Sequence, residues 1–338
     1  MKRVLKGSGI VVLGIVALCV GLNLNSLDDG IQYLQDMFAY VPVSAQPLDP
    51  KGRFGFCEQF ATLRNAQRAQ FIVNFLEARG IAFQRLPIYD TKFDNIFAPF
   101  ARRGNESESH QAASFTFVQD MVWRTIQAFV PYTIFSAHYD KVYDDPDYQG
   151  ASDNSAAVCM LLVAAEELNR ARPPRPVAIL FTGQEEVGLV GARAFYDYAT
   201  ENNLQVADVL NFDNIGRAGL AARASGERSG YVFTIPLWGE FVYDGRKFSP
   251  ASAYRQPDAR LMQQLQRVGP IKLYDRMVAQ SDGTYWQERG WNAVNLTSDN
   301  IYYLDETWHT YGDRVELLEQ DNFQRALELV LGYARQEQ

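Results

Sequence analysis

The sequence predicts an α/β fold, a three-layer α/β/α arrangement around a mixed, mostly parallel sheet. Three observations predict it. Short apolar runs alternate with amphipathic segments of helical length through most of the chain. Candidate metal ligands and acid–base groups stand just after the apolar runs, where the strands of an open α/β sheet carry their sites. A composition of 47% hydrophobic and 13% aromatic residues in 338 supplies a sizeable core. That length admits one large domain or two ordinary ones, and nothing in the pattern forces a second soluble domain.

The elements follow in order. Gly7 to Leu27 carries no charge, and its 21 positions would span about 31 Å as a helix at about 1.5 Å per residue, close to a bilayer core. Lys2, Arg3 and Lys6 precede it, the order of a segment whose start stays in the cytoplasm while the rest is exported. Residues 1–27 are therefore read as a membrane anchor, preferred over a cleaved signal because no small-x-small site closely follows the apolar part. The catalytic part is then exported and membrane-attached, or secreted if the segment is removed. Residues 28–58 read as a connector with a short amphipathic piece, and 59–338 as the main domain. Gln59 to Arg79 has helical spacing and ends at Gly80; Ala82 to Tyr89 and Asn95 to Phe100 read as strands; Arg102 to Gln111 reads as a surface loop. Strand and helix then alternate: Tyr132 to Ser136, Ser155 to Ala171, Pro176 to Thr182, Leu189 to Thr200 and Val206 to Phe212. Ala293 to Thr297 is a further strand, and Leu317 to Arg335 closes the chain as a helix. Residues 216–280 break the rhythm and read as a lid or pocket wall. Of Cys57 and Cys159, neither has metal-ligand spacing; Cys159 lies in an apolar helical run, where a buried free thiol is favoured over a disulfide.

Chemistry concentrates at the strand ends. Glu185 and Glu186 fall between an apolar strand and a glycine-punctuated helix, a placement that suits metal contacts or a general base, although an isolated Glu-Glu is more often a solvated loop. His138 and Asp140 follow one strand, Asp153 heads a helix, Asp213 follows another strand, and Asp305 and His309 follow the last. The chain has three histidines and two stand in this set. Converging strand ends bring such residues together, and Asp140, two residues after His138, is placed to orient its imidazole. A net charge of −8, without a basic cluster beyond the amino terminus, argues against nucleic acid as a partner.

Taken together, His138-Tyr-Asp140, Gly150-Ala-Ser-Asp153-Asn, Gln184-Glu185-Glu186-Val-Gly-Leu-Val-Gly191, Asn211-Phe-Asp213-Asn-Ile-Gly216, Ser281-Asp282 and Trp308-His309-Thr310 resemble metallopeptidase family 28. The likeness spans about residues 60–337, and its strength lies in the shared order. It implies the zinc-aminopeptidase type of α/β fold and a zinc-dependent aminopeptidase acting on the amino termini of peptides or proteins. By that resemblance His138 and Asp213 hold one Zn²⁺, Glu186 and His309 a second, and Asp153 bridges both. Glu185 is then the general base acting on a metal-bridging hydroxide, and Asp140 orients His138. Two zinc ions, three carboxylates and one hydroxide leave no net charge, which suits a buried site.

The resemblance also implies a substrate contact at Asp282 and one at Trp308, which stands where the family commonly has tyrosine. Trp-His-Thr is shared with glutaminyl cyclases, so the alternative is a glutaminyl-peptide cyclotransferase with a single zinc. A non-catalytic binding or dimerisation module is disfavoured because every ligand and Glu185 are present. Oligomeric state stays open.

Overall fold

The structure, a computed structural model, describes residues 46–100, 131–235, 238–244, 247–251, 253–300 and 307–336, with Ile31, Leu34 and Gln35 besides. The apolar stretch 7–27, the loop 102–111 and Asp305 lie outside the described residues. Among those described, no helix is long and apolar enough to cross a membrane.

An eleven-stranded sheet organises the chain. Its left half contains β1 (Gln84–Pro87), β2 (Asp94–Phe100), β3 (Tyr132–His138), β4 (Val177–Thr182) and β5 (Val206–Phe212). The right half contains β6 (Leu220–Ser225), β7 (Gly230–Ile235), β8 (Gly239–Tyr243), β9 (Phe248–Pro250), β10 (Lys272–Ala279) and, at the centre, β11 (Ala293–Ser298). The order is β1-β2-β4-β3-β5-β11-β6-β10-β7-β8-β9. The expected parallel character holds for the central strands β4, β3, β5 and β11 and again between β6 and β10. Antiparallel pairings flank them on both sides, making the sheet mixed. β3 and β4 are buried along their whole length, as strands covered on both faces must be.

Among the described residues seven helices cover the sheet: α1 (Cys57–Ala61), α2 (Asn65–Ala78), α3 (Ala156–Arg170), α4 (Val190–Glu201), α5 (Ala259–Val268), α6 (Asp282–Glu288) and α7 (Gln320–Arg335). On one face Met160, Leu161, Leu265, Leu327 and Val330 pack over Phe135, Ile179, Leu210 and Leu296. On the other, Ala192, Phe195 and Trp286 pack over Ile134, Leu180 and Val209. Strand residues of opposite parity thus serve opposite layers.

Four expectations change. The helix expected over 59–79 is two helices, because Arg64 is extended (φ −72°, ψ 158°) and the Asn65 N–H donates to Asp144 Oδ1 at 2.7 Å. That external partner restarts the helix, and it lies 79 residues away, where periodicity cannot see it. The interval 216–280 supplies five strands of the main sheet and α5, and it also lines the pocket, through Arg223, Ser229, Gly230, Asp244, Ala279 and Gln280. Residues 46–58, assigned to the connector, pack onto the domain: Leu48 donates its N–H to Leu318 O at 3.0 Å, and Phe54 is fully buried.

The fourth change is covalent. Cys57 and Cys159 form a disulfide, with Cα atoms 5.7 Å apart, where a free thiol was expected. Local patterning placed Cys159 correctly inside a buried helix but could not reveal that α1 crosses over it. The bridge ties α1 to the second turn of α3, just after Asp153. It closes a loop of sequence separation 102, so replacing both cysteines with alanine should lower the unfolding free energy by about 2–5 kcal/mol. Urea denaturation of the variant and of the reduced and oxidised wild type measures this, and equal midpoints would show that the bridge adds nothing.

Candidate metal centre

The site forms where the carboxyl ends of β3, β4 and β5 meet the loops after Gly150 and Thr307. His138 is the last residue of β3 and Asp213 follows β5 directly. Asp153 lies in a π-helical turn, Ala151–Ser155, which breaks helical geometry at Asp153 and Asn154 before α3 begins; the peptide joining those two residues is cis.

The Asp153 carboxylate stands between the two histidines. His138 Nε2 is 3.2 Å from Asp153 Oδ1 and 3.3 Å from Asp213 Oδ1. His309 Nε2 is 3.4 Å from Asp153 Oδ2 and 3.0 Å from Glu186 Oε2. Two triads result, His138–Asp153–Asp213 and Asp153–Glu186–His309, and the donor atoms of each lie within 4.8 Å of one another. Glu185 and Glu186 form a further group with His138. All five expected ligands and the expected base therefore come together.

The donor set fits zinc, which takes imidazole nitrogen and carboxylate oxygen. Glu186 Oε1 is buried without a hydrogen-bond partner, as a ligand atom awaiting a cation would be. Electrostatics agree. Burial alone would pull His138 down, but the charges of Glu185 and Asp213, with hydrogen bonds to Asp140 and Asp153, raise it well above the ordinary histidine value. His309 behaves alike: burial opposes its charge, yet Asp153 and Glu186 push it up to about 10. Burial, then the charge of Asp153, raises Glu186 to about 7. Burial raises Glu185 well above the usual carboxylate range, with Asp213, Asp282 and Glu186 adding to the effect. So many carboxylates in one buried place draw positive charge to themselves.

Three supports hold the ligands. Asp140 does more than orient His138: its backbone oxygen lies 3.3 Å from His138 Nδ1 and its Oδ1 3.6 Å away. Its carboxylate also accepts the N–H groups of Glu185 at 3.1 Å and Glu186 at 3.2 Å. Asn95 on β2 clamps the same turn, donating to Gly191 O at 2.8 Å and accepting the Gly183 N–H at 3.2 Å. A side chain at Gly191 would collide with the Gly183 carbonyl, whereas Gly188 has open space and is needed for its φ of +109°. The third support, Asp313, was not singled out in the sequence. Its carboxylate accepts from Ser152 N at 2.8 Å and Asp153 N at 3.1 Å, joining the loop of His309 to the loop of Asp153.

Beside these residues opens a pocket of about 240 Å³, whose lining includes Glu185, Asp213 and His309 together with Arg223, Asp244, Asn295 and Thr297. Sequence patterning missed the last four, because they belong to no motif. Trp308 is on the rim, 36% exposed, its ring 4.3 Å from that of His309. Asp282 is elsewhere. Placed by the first turn of α6, it is fully buried and takes a hydrogen bond from Thr182 Oγ1. Burial, with nearby Asp140 and Asp213, raises it to about 7. The expected substrate contact at Asp282 is thus corrected: it lies beneath the centre, off the pocket wall.

Residues 128–334 match Peptidase family M28. The chain belongs to that family. Over 198 residues, 58% of the chain, it is 25% identical to aminopeptidase YwaD of Bacillus subtilis, of whose length it spans 38%. The chain thus covers well under half of that relative. Among solved structures, the LapA aminopeptidase of Legionella pneumophila superposes with a TM-score of 0.60 at 14% identity, covering 85% of this chain and 71% of the other. A glutaminyl cyclase of Fimbriiglobus ruber superposes at 0.56 and 13% identity, covering 88% and 99%. At such identities the structural likeness is one of fold.

Asp313→Asn should weaken zinc binding about 10- to 100-fold, the usual cost of losing a group that orients a ligand. Competition with a chromogenic chelator measures it. Unchanged affinity would show that the Asp153 loop is held without Asp313.

Proposed function

We propose that this family member is a zinc-dependent aminopeptidase that hydrolyses the first peptide bond of peptides or proteins. The observation that carries this reading is the Asp153 carboxylate, one oxygen toward His138 and the other toward His309. His138 with Asp213, and His309 with Glu186, would each hold one Zn²⁺, with Asp153 shared. When bound, the zinc pair supplies a water of lowered pKa and polarises the scissile carbonyl.

The chain's own residues do the rest. Glu185 is the member of the Glu-Glu pair outside the two triads, which frees it to take the proton of the attacking water and deliver it to the leaving amine. Burial raises its pKa above the ordinary carboxylate range, the direction that favours proton uptake by a catalytic base. Asp140 keeps Glu185 and Glu186 in register through their N–H groups. Through its backbone oxygen it also fixes the His138 tautomer, leaving Nε2 for the metal.

Trp308 favours a second reading, a single-zinc glutaminyl-peptide cyclotransferase, since its ring covers His309 where a tyrosine hydroxyl would stabilise an oxyanion. Asp213 and His138, both in ligand position, support the aminopeptidase instead. The Cys57–Cys159 disulfide supports an oxidising, exported location, and the uncharged run 7–27 supports attachment to a membrane.

Metal content measured with a peptide panel that includes an amino-terminal glutamine tests both readings. Two zincs per chain with release of free amino acids is the expected result; one zinc and a pyroglutamyl product would install the cyclase. In the same assays Glu185→Gln should retain metal and lose about 10²–10⁴-fold in turnover, while Glu186→Gln should lose metal. Normal turnover by Glu185→Gln would remove Glu185 from the base role.

A further inference from the structure

Of the five expected ligands His309 is the most exposed, with a side chain 31% accessible against 12% or less for the other four. Its backbone is left-handed, at φ 55°, so its surroundings must hold it. Asp313 fastens the far end of the same loop, but to the Asp153 turn. Two residues after His309, Tyr311 supplies a hold of another kind. Its ring stacks on that of Tyr143, with centroids 6.0 Å apart and planes within 6°, and meets Tyr148 edge to face at 5.8 Å. Tyr143 meets Tyr148 in the same manner at 5.0 Å. The Tyr311 hydroxyl donates to Asp145 Oδ2 at 3.0 Å.

Tyr143, Asp145 and Tyr148 all belong to residues 141–149, the stretch that runs from the end of β3, just past His138 and Asp140, toward the Asp153 turn. That stretch is rooted in the domain. Lys141, buried, donates through Nζ to Asp145 O at 2.8 Å and to Tyr148 O. Its own N–H donates to Asn65 Oδ1 at 2.9 Å, and Asn65 Nδ2 donates back to Lys141 O at 3.1 Å. Tyr148 is fully buried, whereas Tyr143 and Tyr311 are 44% and 52% exposed. Offset-stacked and edge-to-face rings are favoured by their quadrupoles and are directional, and a phenol donating to a carboxylate is a strong, directional bond. Together they favour one placement of the His309 loop over others.

We infer that Tyr143, Asp145, Tyr148 and Tyr311 form an aromatic clasp that positions His309 for its metal ion. Tyr143 and Tyr311 are positioning residues, acting through the loop that carries the ligand. The inference rests on the proposed role of His309 as a zinc ligand. Its consequence is selective: loss of the clasp should weaken the ion of His309 and Glu186 and spare the ion of His138 and Asp213, whereas Asp313 holds the turn of Asp153, which both ions share.

Zinc competition with a chromogenic chelator tests this on wild type, Tyr143→Ala and Tyr143→Phe. A half-exposed surface tyrosine with no other role would leave both affinities unchanged. Tyr143→Ala should instead weaken one of the two ions about 10-fold, as losing an outer group that orients a ligand does, and Tyr143→Phe, which keeps the stack, should restore it. In a His309→Ala background, where the ion of His138 and Asp213 remains, adding Tyr143→Ala should change nothing. Wild-type affinity in Tyr143→Ala, no restoration by Tyr143→Phe, or a further loss in the His309→Ala background each overturns the inference.

Amide exchange on the full chain, with and without zinc in the buffer, reads the clasp apart from metal count and turnover. Residues 307–313 should exchange faster in Tyr143→Ala than in wild type, with 151–155 unchanged. If wild type takes up a single zinc or none, the two-metal peptidase reading fails; faster exchange of 307–313 in Tyr143→Ala then still supports the clasp, and unchanged exchange overturns it. Circular dichroism checks folding. Asp145→Ala, which removes the acceptor of the Tyr311 hydroxyl without touching a ring, carries the test if Tyr143→Ala does not fold.

Discussion

Asp153 offers its two carboxylate oxygens to two histidines that arrive from different parts of the chain, and the rest of the centre is arranged to make that possible. His138 comes from the end of a fully buried strand, while His309 sits on a loop with φ at 55°, a conformation non-glycine residues adopt only when their surroundings enforce it. Neither histidine could hold Asp153 in place unaided. The carboxylate stays between them because the turn carrying it is fastened from both sides.

Those fastenings are buried polar groups, and their satisfaction is what makes them rigid. From the loop of His309, Asp313 takes two backbone N–H groups of the Asp153 turn. From α2, the buried Arg68 guanidinium donates to Gln149 O at 2.8 Å and to Tyr139 O at 2.9 Å, as well as to Ser155 Oγ. One side chain thus ties the end of β3 to the start of the Asp153 turn. The disulfide adds a covalent tie from α1 to α3, and Asn95 and Asp140 secure the glutamate turn. The centre is built from loops but held as firmly as an element.

Much of this was legible in the residues. β3 and β4 are buried along their whole length because both faces are covered, so their apolar runs stood out, and His138, Glu186 and Asp213, at or within four residues of the ends of β3, β4 and β5, pointed to a common edge. Scarcity helped, since a histidine after a strand is conspicuous in a chain with so few. Less visible were Asp313, Arg68 and Asn95, which act on backbone groups distant in sequence and carry no motif. Asp282 shows the converse error. A carboxylate adjacent to a motif reads as a contact, but the first turn of α6 directs it toward Thr182 beneath the centre.

Local pattern by itself determined the α/β class, the central strands and which candidate donors stand near their ends, because strand burial and donor chemistry are properties of neighbouring residues. Tertiary structure alone decided which cysteines meet, where the first helix breaks, and that β6 brings Arg223 into the lining of the pocket. Each of these depends on strand order and on groups paired across tens to hundreds of positions. Such pairings are set by how layers pack and by which buried polar groups must find partners, and no window of sequence contains both halves of them.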